Sequence, residues 1–207
     1  MTYKKVCLIN YKLNNISSVV KALKESEIEF DVLEDGKELI NYSHIIIPGV
    51  GSFDAGVAQL KSQNFFRKLC EIKNNVKILG ICLGMQLLFE QSEESSEKFI
   101  SGLSLIKGKV KKISQSTSNK IYIPHIGWNT IDMKLDLKNI KLRTDKDFYF
   151  ANSYYVEPKD QNIIKYVFRH GKYYPAVIQY KNYYGFQFHP EKSENGIHIL
   201  KDFCNLD

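Results

Sequence analysis

Three short segments carry side chains whose types and spacing suit nucleophilic chemistry at a carbonyl. The first is Gly80-Ile81-Cys82-Leu83-Gly84. It follows an apolar run, Lys77 to Ile81, and opens a helical pattern, Leu83 to Gln91. Strand, sharp turn and helix is the setting of a nucleophile elbow, here with cysteine in place of serine. The turn is tight, so the residues two before and two after the nucleophile must be small. It lifts the thiol out of the sheet, and the N-terminus of the next helix favours the thiolate. The same five residues also fit a buried structural cysteine between helix-packing glycines.

The second segment is Gly185-Phe186-Gln187-Phe188-His189-Pro190-Glu191-Lys192-Ser193. A thiol needs a base, and the base needs an orienting group. His189 and Glu191 lie two apart near a predicted strand end, and on an extended chain both point the same way. Glu191 then accepts an imidazole N–H, fixes the tautomer and stabilises the imidazolium. The third segment, Pro48-Gly49-Val50-Gly51, follows the apolar run His44 to Ile47. Two glycines around one residue let backbone N–H groups turn toward an anion. This is either a plain strand exit or an oxyanion hole that the Leu83 N–H completes.

The surrounding pattern says what must position these groups. Val6 to Ile9 reads as a buried strand, and Ile16 to Lys24 as a helix capped by Asn14 or Asn15. Strands follow at Glu29 to Leu33, His44 to Ile47 and Lys77 to Ile81, with a helical stretch from Phe53 to Lys73 between the last two. Such alternation builds a parallel sheet covered on both faces. From Gly108 to Phe188 the pattern turns strand-like, with turns at Arg169 to Lys172 and at Lys181-Asn182. Its Tyr-rich part, Tyr149 to Tyr184, most simply fills a β layer; the other reading is that part of it presents aromatic anchors to a partner. Ile197 to Phe203 closes the chain as a helix. Gln91 to Lys98 and Ser114 to Lys120 read as surface loops. The expected fold is α/β: a mostly parallel central sheet with helices on both faces and a mixed or antiparallel β extension, one domain over residues 1–207.

Composition limits the function classes. The chain has 207 residues, 43% hydrophobic and 25% charged, which is ordinary for a globular protein. A chain of this length buries roughly 70% of its unfolded surface without staples. No apolar run approaches the ~20 residues that span a bilayer, and the first residues do not form an export signal. The 29 basic and 23 acidic residues leave +6, which favours an anionic partner or substrate. No basic cluster is interleaved with aromatics, so neither nucleic acid nor membrane is expected as a partner. Lys107 to Lys112 reads as a solvated strand face. The four cysteines, Cys7, Cys70, Cys82 and Cys204, form no CxxC pair and no metal-ligand spacing. Reduced thiols in a cytoplasm are expected, with no metal and no cofactor. Cys7, Cys70 and Cys204 read as packing residues. His44, His170 and His198 read as surface or strand-edge residues, and His125 as non-catalytic.

Together with Met85-Gln86 after the elbow, these segments resemble the triad-type (class I) glutamine amidotransferases. Pro124-His125-Ile126-Gly127-Trp128-Asn129 and Phe148-Tyr149-Phe150-Ala151-Asn152-Ser153-Tyr154 narrow the resemblance to the glutaminase subunits of imidazole glycerol phosphate synthases in histidine biosynthesis. It runs from about Val6 to Phe203, with every motif in order. It implies a flavodoxin-like fold, Cys82 as nucleophile on the side-chain amide of L-glutamine, His189 as acid and base, and Glu191 as its orienter. It implies Val50, Gly51 and Leu83 at the oxyanion hole, with a Val50 loop that must turn to complete it. Gly49, Gln86, Ser153 and Tyr154 would line the substrate. The implied partner is a (β/α)₈-barrel cyclase in a heterodimer, with Asn15 and Trp128 facing it. Ammonia would pass to the cyclase, which makes imidazole glycerol phosphate and an aminoimidazole carboxamide nucleotide.

Two positions depart from the family. Members usually carry Asp-Tyr-Gly-x-Gly-Asn after the first strand, where this chain has Asn10-Tyr11-Lys12-Leu13-Asn14-Asn15. The usual His-Ser or His-Thr before Tyr154 is Asn152-Ser153. The alternative reading is therefore a paralogous glutaminase feeding another synthase, for example one aminating a surface-polysaccharide sugar. A binding subunit with a vestigial elbow, or a cysteine peptidase, would need the triad or Gln86 to be incidental.

Overall fold

A computed structural model gives the structure and describes residues 5–13, 16–72, 75–95, 100–114 and 121–207. The predicted alternation is present. Strand β1 (Val6–Ile9) leads to helix α1 (Ile16–Glu25), strand β2 (Phe30–Leu33) and strand β3 (His44–Ile47). Helices α2 (Phe53–Ser62) and α3 (Phe65–Cys70) precede β4 (Lys77–Ile81) and α4 (Leu83–Leu87). Eight short strands follow: β5 (Gln91–Ser92), β6 (Gly108–Lys112), β7 (His125–Asn129), β8 (Asp132–Met133), β9 (Phe148–Asn152), β10 (Tyr154–Pro158), β11 (Ile164–His170) and β12 (Lys172–Tyr180). Then come β13 (Tyr183–Phe186) and helix α5 (Gly196–Cys204). Asn14 and Asn15, the expected caps of α1, lie outside the described residues, as do Lys73, 96–98 of the first predicted loop and 115–120 of the second.

The central sheet has the strand order β2-β1-β3-β4-β13-β12-β11-β8. The first five are mutually parallel, and β12, β11 and β8 continue it antiparallel. A three-stranded sheet (β10-β6-β5) and the β7-β9 pair complete the extension.

Alternation along the strands divides the core. Val6, Leu8, Ile46, Leu79 and Ile81 face one side, under α1, α5 and an aromatic layer including Phe148, Phe150, Phe168, Phe186 and Phe188. Cys7, Ile9, Ile45, Ile47 and Ile78 face the other, under α2, α3 and α4. Burying apolar area at about 25 cal/mol per Å² on both faces is what holds so short a set of strands. Among the described residues no helix is long and apolar enough to cross a membrane.

Four local expectations need correction. The stretch from Phe53 is two helices, because Asn64 turns left-handed at φ 61°, with its side chain bonded to Asp35 at 3.2 Å. Helix α4 stops at Leu87: the Leu88 and Phe89 N–H groups tighten onto Met85 and Gln86, and Gln91–Ser92 then pairs with β6. His44 is buried, because α5 and the residues after it cover the start of β3. Its Nε2–H donates to the Leu206 carbonyl at 3.1 Å. Cys70 is exposed at the end of α3, whereas Cys7 and Cys204 are buried as expected.

Candidate active site

Strand β4 delivers Cys82 to the end of the sheet, with its N–H donating to Phe186 of β13 at 2.7 Å. Cys82 has φ 51° and ψ −107°, a strained conformation for a residue with a side chain. Two glycines permit it. A Cβ on Gly80 would lie 2.5 Å from the Gly84 carbonyl carbon, and one on Gly84 would collide with the Ile47 carbonyl oxygen. The elbow is thus built as the spacing requires, although the helix it opens has only five residues.

His189 lies after β13, the strand beside β4. Its Nδ1 is 2.8 Å from Glu191 Oε1, and both side chains are 3% exposed. The shared direction does not come from an extended chain: His189 leads into a 3₁₀ turn, Pro190–Lys192, which folds Glu191 back onto the ring. Ser193 locks that turn by donating to the His189 carbonyl at 2.7 Å and accepting from the Tyr149 N–H at 3.1 Å. Burial disfavours the imidazolium. The charge and hydrogen bond of the Cys82 sulfur, and then those of Glu191, outweigh it and raise His189 to about 10. Glu191 Oε2 is buried with no hydrogen-bond partner among the described residues.

The other thiols are different. Burial pushes Cys204 up to about 12 and raises Cys7 further, which keeps both as inert thiols. His125 stacks on His170 and Phe168, and burial followed by the His170 charge lowers it to about 4. It is an aromatic core residue.

A cleft of about 290 Å³ opens at Cys82. It is lined by Val50, Gly51, Leu83, Gln86, Ser153 and Tyr154, all expected from the sequence, and by Glu94 and Asn152. Gly49 lies just behind, where a Cβ would meet the Tyr11 hydroxyl and, at 2.9 Å, Leu83 Cβ. Gly51 is needed for a different reason, its φ of 108°. The loop is held from below. Buried Tyr11 donates to the Pro48 carbonyl at 2.7 Å, and the Val50 N–H donates to the Leu13 carbonyl at 3.1 Å. The Leu83 N–H makes a long 3.4 Å bond to the Gly49 carbonyl. Of the three residues expected at the oxyanion hole, Val50 and Leu83 thus have their N–H groups engaged within the protein.

Trp128 is 55% exposed on β7 and Ile126, at the cleft wall, 64% exposed. Asn15 is outside the described residues. A larger groove of about 800 Å³, between β6, β10 and β12, contains none of these groups.

Sequence reasoning missed two side chains. Glu94, in a stretch read as surface loop, accepts the Phe53 N–H at 2.8 Å at the cleft wall, and burial raises its carboxyl. Gln187 is fully buried and its amide donates to the Cys82 sulfur at 3.7 Å. A polar residue between two phenylalanines, two before the histidine, was the available signal.

Comparison with known proteins agrees with this geometry. Residues 7–205 match the family described as "Glutamine amidotransferase class-I". The chain is 37% identical over 203 residues to "Imidazole glycerol phosphate synthase subunit HisH" of Geobacillus sp. (strain WCH70), covering 96% of this chain and 95% of that one. It is 39% identical over 202 residues to the subunit of the same name from Caldanaerobacter subterraneus subsp. tengcongensis, covering 96% and 97%. Among solved structures, a glutamine amidotransferase superposes with TM-score 0.72 at 13% identity, covering 97% of this chain and 99% of that one. PurLQS from Thermotoga maritima superposes with TM-score 0.68 at 18% identity, covering 98% of each chain. These last two bear on the fold alone.

Proposed function

The chain belongs to the class-I glutamine amidotransferases, and from that premise we propose that its cleft hydrolyses L-glutamine through Cys82, His189 and Glu191. The observation that carries this reading is the 2.8 Å His189–Glu191 pair beside a cysteine strained to φ 51°. Cys82 gives its proton to His189, and the thiolate attacks the side-chain amide carbon. The C–N bond breaks as His189 protonates the departing ammonia. Water, deprotonated by His189, cleaves the thioester and releases glutamate. Glu191 holds Nδ1–H and leaves Nε2 to exchange the proton.

Val50, Gly51 and Leu83 are the oxyanion donors in this reading, each worth about 2.7–4 kcal/mol. The bonds of Val50 to Leu13 and of Leu83 to Gly49 mean that the Pro48–Gly51 loop must turn first. The isolated chain is therefore slow. Gly49, Gln86, Ser153 and Tyr154 line the substrate, and the Glu94 carboxylate suits its α-ammonium.

The ammonia goes to a synthase subunit. We infer a (β/α)₈-barrel cyclase of histidine biosynthesis, in a cytoplasmic heterodimer; the relatives' names, subunits of an imidazole glycerol phosphate synthase, support a synthase partner. The exposed Ile126 and Trp128 beside the cleft support docking on that face, since exposed aromatic and aliphatic anchors are typical of interfaces. The test is glutamate release by the purified chain, alone and with the host's histidine-pathway cyclase plus its nucleotide ligand. Strong stimulation, lost in Cys82→Ala, supports the reading. No stimulation, with Cys82 still alkylated by a glutamine-like electrophile, means a glutaminase for another synthase, such as one aminating a sugar.

A further inference from the structure

We propose that Gln187 is a further catalytic residue of this cleft and that Gln86 is the positioning residue that aims it. The inference rests on Cys82 being the nucleophile. Gln187 is fully buried. A buried amide is unfavourable unless it is hydrogen-bonded. Its two ends have defined partners. Nε2 donates to the Cys82 sulfur at 3.7 Å, and Oε1 accepts from Gln86 Nε2 at 3.4 Å.

The direction of the amide is forced. Gln86 Nε2 also donates to the Tyr154 carbonyl at 3.3 Å, which fixes it as the donor end of Gln86. Rotating Gln187 by half a turn would oppose two NH₂ groups and set an oxygen against the sulfur. The backbone is pinned as well, by the Gln187 N–H donating to the Ala176 carbonyl at 2.9 Å. The Tyr154 carbonyl is anchored in turn by Asn152 Nδ2 at 3.0 Å. A chain of buried amides thus ends on the reacting atom.

The chemistry of that end differs from the chemistry of His189. The imidazole exchanges a proton with the sulfur, whereas the amide does not titrate and only donates. A hydrogen bond to an ion is roughly twice as strong as one to a neutral group, so the Gln187 bond favours thiolate over thiol. The thiolate is the attacking species in the first step and the leaving group when water cleaves the thioester. In the thioester the sulfur carries no charge and the bond is at its weakest. Gln187 therefore raises the share of attacking thiolate in the first step and stabilises the leaving thiolate in the second, without competing for the proton.

The test is the pH dependence of Cys82 alkylation by iodoacetamide, followed by mass mapping so that the exposed Cys70 is counted separately. Gln187→Met keeps the volume and removes the donor. Its midpoint should rise by about one pH unit, and kcat for glutamate release should fall about tenfold with KM within about twofold. Gln187→Glu should raise the midpoint further, because a carboxylate opposes the thiolate. Unchanged midpoints in both folded variants would overturn the proposal. Should neither fold, the native chain decides. The Gln187 side-chain amide resonance should titrate with the alkylation midpoint and lose that titration in Cys82→Ala; a flat resonance in the native chain overturns the proposal. Alkylation needs no glutamine. A chain that shows these shifts yet releases no glutamate supports Gln187 and counts against the substrate.

Discussion

Cys82 and His189 follow neighbouring parallel strands, with Ile81 opposite Phe186, yet they are held by opposite means. The cysteine is held by covalent geometry. A positive φ, a glycine two residues before and another two after leave its segment one shape. The histidine is held by hydrogen bonds: Glu191 on its ring, Ser193 on its carbonyl and the Tyr149 carbonyl on its N–H at 2.8 Å. Strain holds Cys82 in an all-or-none way. A network holds His189 in increments, and removal of any one bond is expected to leave the fold intact.

The largest effect should come from the elbow's glycines. Gly84→Ala puts a methyl group onto the Ile47 carbonyl, so the folded chain should be lost or destabilised by roughly 3 kcal/mol or more. A denaturation curve like that of the native chain would break the comparison on the cysteine side. Ser193→Ala, on the other side, should cost about 1 kcal/mol and leave the fold.

The next effect concerns charge. His189 is raised from near 6.5 to about 10, so its contribution to stability is full below about 6.5 and is lost as the pH rises through about 10. A proton NMR titration should find the imidazole midpoint near 10. Cys82→Ala removes the main cause of the rise, and the midpoint should fall. A midpoint unaffected by Cys82→Ala would mean that Glu191 alone governs the ring.

Smaller effects sharpen the account of strain. Cys82→Gly and Cys82→Ala both remove the thiol, but only glycine tolerates φ 51°. Glycine should therefore be the more stable variant by about 1 kcal/mol in denaturant unfolding. Equal stabilities would show that the elbow is unstrained. Lys12 sits at φ 65°, where the family usually has glycine, so Lys12→Gly should raise stability by up to about 1 kcal/mol. A lower melting temperature would mean that the lysine makes contacts which outweigh its backbone.

The sequence by itself determined what depends on chain neighbours. The strand and helix alternation follows from apolar periodicity, which is a local property. The elbow follows from Gly80, Cys82 and Gly84, because a tight turn excludes side chains from its own immediate surroundings. The His189–Glu191 pair was legible for the same reason, although a 3₁₀ turn and not an extended chain brings the two together. Tertiary structure decided what depends on distant partners. The Gln187 amide is aimed at a sulfur 105 residues away, and the Gln86 amide at a carbonyl 68 residues away. Burial of His44 required the C-terminal residues to arrive over β3. The engagement of the Val50 N–H required the segment after β1 to pass under the loop and present the Leu13 carbonyl. A hydrogen bond is satisfied by whatever donor and acceptor packing brings within about 3 Å, and no spacing along the chain records which pair that is.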